Sequence, residues 1–166
     1  GETVQEIYKS NIDNVHAVPN SNGKIPMEKV LAQTTNLFSD YVNEVSPDLI
    51  IVHGDRLEAL AGAIVGSFNN ILVCHIEGGE VSGTIDELIR HSVSKLSHVH
   101  LVVSDKAKNR LIQMGEKKNT IVVIGSPDKD IMFSEGLPSL NTVKEYYGIN
   151  YSNFALAILH PVTSEI

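Results

Sequence analysis

The chain has 166 residues, 42% hydrophobic and 20% charged, the balance of a soluble globular protein with one sizeable core. Twenty acidic against 13 basic residues leave a net charge of −7, so there is no broad attraction for a phosphate backbone and nucleic acid is not an expected partner. The single cysteine excludes an internal disulfide framework, and no apolar stretch approaches the roughly 20 residues of a membrane span.

A reducing, cytoplasmic setting fits these features, and the first residues lack the basic and apolar regions of a signal peptide. They also lack an initiator methionine, so upstream sequence is expected. Residues 2–10 predict a short helix, and 19–24, with Pro19 and Gly23, a loop. Pro26 opens a longer helix to about Glu44, because Val30, Leu31, Thr34, Leu37, Phe38, Tyr41 and Val42 recur at spacings of three and four and share a face. Ser46-Pro47-Asp48 ends it. Residues 49–52 are an uninterrupted aliphatic run, as expected of a strand covered on both faces, with His53-Gly54-Asp55-Arg56 as the exit loop.

A helix over 57–68, a strand over 71–76, a loop to about Thr84 and a helix over 85–96 follow. Cys74 falls inside that strand, where a thiol reads as a small core hydrophobe. Residues 98–104 predict a strand, 105–114 a helix capped by Ser104 or Asp105, and 120–124 a strand leading into Gly125-Ser126-Pro127. This alternation predicts an α/β fold, a Rossmann-like parallel sheet with helices on both faces and right-handed crossovers. Short helices over 129–133 and 142–147 lie in or beside a polar, irregular stretch, and 154–159 reads as another aliphatic strand. The expected organisation is an incomplete N-terminal domain over 1–134, a connector over 135–153 and the start of a truncated second domain over 154–166.

Ligands of open parallel sheets bind beyond the carboxyl ends of the strands, where two acidic loops of this chain fall. In the first, Asp55 reads equally as a helix N-cap, His53 as a satisfied core histidine and Arg56 as an exposed ion-pair partner. In the second, Glu77, Glu80 and Asp86 stand close together while Gly78, Gly79 and Gly83 let the backbone approach a ligand. Ser82 or Thr84 as a cap, with Asp86 and Glu87 in the first helical turn, explain part of this loop by helix-end chemistry. Glu77 is left over. A glutamate directly at the end of a buried strand costs desolvation unless something binds it or it works. Arg90 stands at i+4 from Asp86 and i+3 from Glu87, so a plain intrahelical salt bridge is its alternative reading. Several carboxylates converging on one site push their pKa values apart and so supply both an acid and a base.

The seven histidines show neither the His-x3-His pair of a catalytic zinc helix nor a cysteine pair beside them, so no metal is expected. A Walker loop, a Gly-x-Gly-x-x-Gly fingerprint and a Gly-x-Ser-x-Gly elbow are all missing, which removes the main support for kinase, nicotinamide and serine-hydrolase readings.

Together, His53-Gly54-Asp55-Arg56, the segment His75-Ile-Glu-Gly-Gly-Glu-Val-Ser-Gly-Thr-Ile-Asp86, Ile89-Arg90-His91 and His160-Pro-Val-Thr163 resemble the UDP-N-acetylglucosamine 2-epimerase family. The longer segment is the most specific and looks like the hydrolysing branch that serves sialic and legionaminic acid synthesis. The resemblance implies two Rossmann-like domains in the glycosyltransferase-B arrangement, with the nucleotide sugar between them and this chain forming most of the first. It places Asp55, Glu77 and Asp86 on the family's catalytic carboxylates and His160 near the diphosphate. Arg90, Gly78, Gly79, Glu80 and Ser82 become substrate-binding positions. The implied reaction removes the C2 proton of UDP-GlcNAc, expels UDP to leave a 2-acetamidoglucal and hydrates it to N-acetylmannosamine, with no cofactor. The full-length protein is expected to be a homo-oligomer. Two alternatives stay open: the same chemistry on a 2,4-diacetamido sugar nucleotide, and a non-catalytic nucleotide-sugar binding domain. The family's N-terminal strand, its nucleotide-contacting loop and its C-terminal Gly-Asn-Ser-Ser loop have no counterpart here, so the isolated chain is expected to be inactive.

Overall fold

A computed structural model describes residues 2–20 and 25–158. Its sheet has four parallel strands in the order β1 (Leu49–His53), β2 (Leu72–Ile76), β3 (Val99–Val102) and β4 (Ile121–Val123). Helices α1 (Glu2–Lys9) and α2 (Met27–Val45) precede the sheet, and α3 (Leu57–Phe68), α4 (Ile85–Lys95) and α5 (Asp105–Gln113) fill the three crossovers. Beyond β4 come α6 (Pro127–Met132) and α7 (Leu140–Tyr146). The α/β class and the parallel, Rossmann-like sheet expected from the alternation are the fold the chain adopts. No helix among the described residues is long and apolar enough to cross a membrane.

Each strand lies beside its predecessor, and right-handed crossovers then carry the connecting helices to the same side of the sheet. The burial follows that rule. Ile50, Val52 and Val73 pack with Val42, Ala59, Ala63, Val65, Ile89 and Val93 in the main core. Val102, Ala107, Leu111 and Ile121 make a smaller core under α5. Gly62 and Gly66 let α3 settle onto the strands, because a methyl group at either would collide with Val52 or Val73. The expected apolar face of α2 is turned inward, with Thr34 and Val42 buried and Phe38 packed on the core.

The cover of β1 differs from the expectation. Ile50 and Val52 are buried, but Leu49 and Ile51 on the other side are exposed among the described residues. An aliphatic run records what a strand is suited to bury and does not say which element covers it. The strand expected at 154–159 is not formed over 154–158, where the backbone carries no regular structure and Phe154, Leu156 and Ile158 are exposed. Strands are stabilised by neighbours, and among the described residues no strand lies beside this segment. The last residue of that run and the His160-Pro-Val-Thr163 motif lie outside the described residues.

Candidate active site

The register decides that the two acidic loops meet. His53 at the end of β1 pairs with Ile76 at the end of β2, so the residues that follow, Gly54-Asp55 and Glu77-Gly78, leave the sheet side by side. The Gly54 N–H donates to the Ile76 carbonyl at 3.0 Å, and the Glu77 N–H donates to the Leu101 carbonyl at 2.8 Å. Both loops therefore remain hydrogen-bonded to the sheet at their first residue. Gly54 turns the chain with φ of +74°. Glu77 adopts φ of +65°, a conformation that costs a side-chain-bearing residue roughly 1–2 kcal/mol. Local strain of this kind persists where the surrounding structure enforces it, and such positions cluster at working sites.

Arg90, reaching across from α4, makes a charged hydrogen bond to the Asp55 carboxylate, and both side chains are largely buried. This settles two alternatives. Arg90 pairs between elements rather than within its helix, and Asp55 does not cap α3, whose first residues receive no side-chain cap. Asp55 and Asp86 line one hollow of about 160 Å³, together with Arg56, Leu57, Glu58 and Ile89. Glu77 lies outside that hollow. Its carboxylate faces His53 Nε2 at 2.9 Å, on the neighbouring strand end. The three carboxylates thus occupy adjoining strand ends and the first turn of α4, with Asp55 and Asp86 sharing a cavity and Glu77 beside them.

The rest of the second loop is held from within. Thr84 caps α4 by accepting from the Asp86 N–H at 3.3 Å, and its hydroxyl also reaches the Asp86 carboxylate. The Glu87 carboxylate accepts from the Ser82 and Gly83 N–H groups at 2.9 and 2.7 Å. Those two bonds, from Gly83 and then Ser82, hold its pKa below the ordinary value. Ser82 is exposed, with its hydroxyl 3.2 Å from Thr84 Oγ1. Glu80 accepts from the Ser104 hydroxyl at 3.2 Å, tying the loop to the start of α5. Gly79, at φ of +80°, packs against the Ala107 carbonyl and receives a hydrogen bond from Arg110 on its own carbonyl. Among the described residues, no three His, Cys, Asp or Glu side chains gather as metal ligands.

Beneath the loops lies a buried polar centre that the sequence did not disclose. His75 is fully buried, with Nε2 at 2.8 Å from the Gly54 carbonyl and Nδ1 at 3.0 Å from Ser94 Oγ. Burial lowers its pKa from 6.5 to about 4, against the opposing pull of the Gly54 hydrogen bond. Gly78 sits directly above. A Cβ there would stand 2.8 Å from both His75 Nδ1 and Ser94 Oγ. Ser94 follows Arg90 by one helical turn, and that spacing is its only signal in the sequence. Cys74 is buried and its thiol pKa is raised by that burial, consistent with a core hydrophobe. His160 lies outside the described residues, so its placement beside a diphosphate has no structural counterpart here.

Comparison with known proteins bears on the whole chain. The family model for UDP-N-acetylglucosamine 2-epimerase matches residues 1–166. A UDP-N-acetylglucosamine 2-epimerase of Neisseria meningitidis serogroup B is 52% identical over 165 residues, covering 99% of this chain and 44% of the relative. A hydrolysing UDP-N,N'-diacetylbacillosamine 2-epimerase of Legionella pneumophila is 35% identical over 178 residues, covering 100% of this chain and 47% of the relative. The chain therefore spans less than half the length of these curated relatives. Among solved structures, a UDP-N-acetylglucosamine 2-epimerase superposes with a TM-score of 0.73 at 19% identity, over 86% of this chain and 42% of its own. A Neisseria meningitidis UDP-GlcNAc 2-epimerase solved with UDP-GlcNAc superposes with a TM-score of 0.64 at 20% identity, over 87% of this chain and 40% of its own. At such identities the superpositions speak for the fold.

Proposed function

This chain belongs to the UDP-N-acetylglucosamine 2-epimerase family, and from that premise we propose that the whole protein is a hydrolysing epimerase that converts UDP-GlcNAc and water to N-acetylmannosamine and UDP. The observation that carries the reading is Glu77, held in a left-handed conformation at a strand end beside the Asp55 and Asp86 hollow. The name of the Legionella relative, which specifies a hydrolysing enzyme, favours the hydrolytic outcome.

The reaction begins when one carboxylate takes the proton from C2. The C1–O bond breaks with its electron pair leaving on UDP, and a double bond forms between C1 and C2. Water then adds its oxygen to C1 while a second group returns a proton to C2 from the opposite side, which inverts that carbon and releases a free sugar. Removing a weakly acidic C–H calls for a positioned base, and the inversion calls for a partner acid on the other face. Asp55, Glu77 and Asp86 share these roles, with Arg90 fixing the Asp55 carboxylate. The glycine-rich backbone at Gly78 and Gly79, with Glu80 and Ser82, borders the sugar. His160 and a second domain beginning near residue 154 complete the phosphate side. The protein works as a cytoplasmic homo-oligomer.

A second substrate is favoured by one specific observation, the diacetylbacillosamine named for the Legionella relative. Incubating the full-length protein in deuterated water with UDP-GlcNAc, and separately with the 4-acetamido analogue, decides both questions. Deuterium at C2 of a released free sugar is the expected result, and the faster substrate is the true one. Release of unlabelled sugar rejects C2 deprotonation.

A further inference from the structure

We infer that the buried pair His75 and Ser94 is the positioning element of the site, a hydrogen-bonded clamp that sets the two acidic loops and α4 in one geometry. The inference rests on the epimerase reading above and adds residues that touch no substrate. His75 stands on the covered face of β2, fully buried, and bonds in two directions. On one side is the Gly54 carbonyl, one residue before Asp55. On the other is the Ser94 hydroxyl, one turn after Arg90 on the helix that begins with Asp86. Gly78, one residue after Glu77, lies so close over the imidazole and the hydroxyl that a Cβ would meet both. One ring therefore contacts the neighbour in sequence of Asp55, the neighbour of Glu77, and the helix of Asp86 and Arg90.

The partners also fix the tautomer. A carbonyl only accepts, so Nε2 carries the proton toward Gly54. Nδ1 is then bare and accepts from the Ser94 hydroxyl. The charged and titratable groups around the ring are His100 on β3, Arg90 on α4 and His53 on β1, and each disfavours a second proton. A neutral ring of fixed orientation is a rigid spacer. Errors of about 1 Å in a catalytic group can cost about a hundredfold in rate, which is the sensitivity such a spacer protects.

The test uses the full-length protein and three variants: Ser94→Ala, His75→Gln and His75→Phe. Ser94→Ala removes one hydroxyl from a buried site and is the variant least disposed to unfold. Glutamine can still send an N–H toward Gly54, whereas phenylalanine fills the space without a donor. Expected are a fall in kcat of about tenfold for Ser94→Ala with KM within about twofold, and a partial rescue in which His75→Gln retains more kcat than His75→Phe. In the wild type, the ¹⁵N spectrum of His75 should show a neutral, Nε2-protonated ring persisting down to about pH 5, where an ordinary histidine is charged. Ser94→Ala and His75→Phe with wild-type kcat would overturn the clamp while leaving the epimerase reading intact, provided the wild type exchanges C2 in deuterated water. Equal losses in kcat and 1/KM, with Tm falling and glutamine no better than phenylalanine, would reduce the pair to ordinary packing and also overturn it. A wild type that exchanges nothing at C2 removes the epimerase reading and this role with it.

Discussion

Arg90 extends from the second turn of α4 to the Asp55 carboxylate, joining the helix that follows one acidic loop to the turn that ends the adjacent strand. Neither side chain is more than about a quarter exposed, so removing one leaves the other without its compensating charge in a poorly hydrated place. Arg90→Ala should therefore destabilise the fold by about 1–3 kcal/mol in urea titration and lower kcat at least tenfold. Arg90→Lys should recover part of the stability but less of the activity, because an ammonium is a point donor on a flexible stem and cannot fix the plane of a carboxylate. Equal kcat for Arg90→Lys and wild type would show that Asp55 needs a positive charge nearby and no defined orientation.

Glu77→Gln keeps the size and the hydrogen-bonding edge of the side chain while removing its base. Turnover is expected to fall by about 10² to 10⁴, the usual contribution of a positioned acid or base. Affinity for the UDP-sugar by calorimetry should stay close to wild type. A variant with unimpaired C2 exchange would release Glu77 from any chemical role, whereas a wild type that binds the UDP-sugar and exchanges nothing at C2 would favour the binding-domain alternative.

Glu77→Gly tests the strained backbone separately. Glycine adopts φ of +65° without penalty, but the His53 contact is lost and the unfolded chain gains freedom. These effects oppose one another. The midpoint of thermal unfolding should be unchanged or slightly raised, within about 1 kcal/mol, while turnover disappears. A loss of several degrees in Tm would mean that the side chain holds the loop together, and the residue would then be structural.

Two glycines of the same loop should respond differently to alanine. At Gly79, φ is +80° and a Cβ would stand 2.6 Å from the Ala107 carbonyl oxygen, so strain and a backbone clash add. At Gly83, φ is +72° but nothing lies within 4 Å. Gly83→Ala should cost about 1 kcal/mol by chemical denaturation, and Gly79→Ala clearly more, about 2–4 kcal/mol. Similar values for the two would mean that a Cβ at Gly79 meets no backbone clash with α5.

Stability should fall as the solution is acidified below the ordinary histidine pKa. The His75 value is lowered from 6.5 to about 4, so between these limits the unfolded chain takes up a proton that the folded chain refuses. Unfolding is favoured progressively as pH drops through that window, and the ring contributes nothing to the slope above it. The contribution is on the order of 2 kcal/mol between about pH 7 and about pH 5. His100 adds in the same direction, its pKa also lowered by burial against the attraction of Glu116. Urea titrations at the two pH values should show a smaller difference for His75→Gln than for wild type. Identical slopes would mean that the buried ring does not resist protonation.

Read from residues alone, the alternation of aliphatic runs with amphipathic segments fixed every strand of the sheet to within a few residues, because side-chain periodicity is a local property of the chain. The acidic loops were legible for the same reason: glycines and carboxylates directly after an aliphatic run mark the rim of a parallel sheet. Glu77 stood out because helix-end chemistry left it unexplained. Three things were decided by the tertiary structure. The partner of Arg90 is Asp55, since strand order and register bring together two residues that are 35 positions apart in the chain. His75 faces inward to Gly54 and Ser94, since the face a strand residue presents has meaning only once a helix lies over it. Residues 154–158 form no strand, since hydrophobic pattern supplies the tendency and a neighbouring strand supplies the hydrogen bonds. Local sequence determines which segments want to be strand or helix. Long-range pairing determines which charges meet.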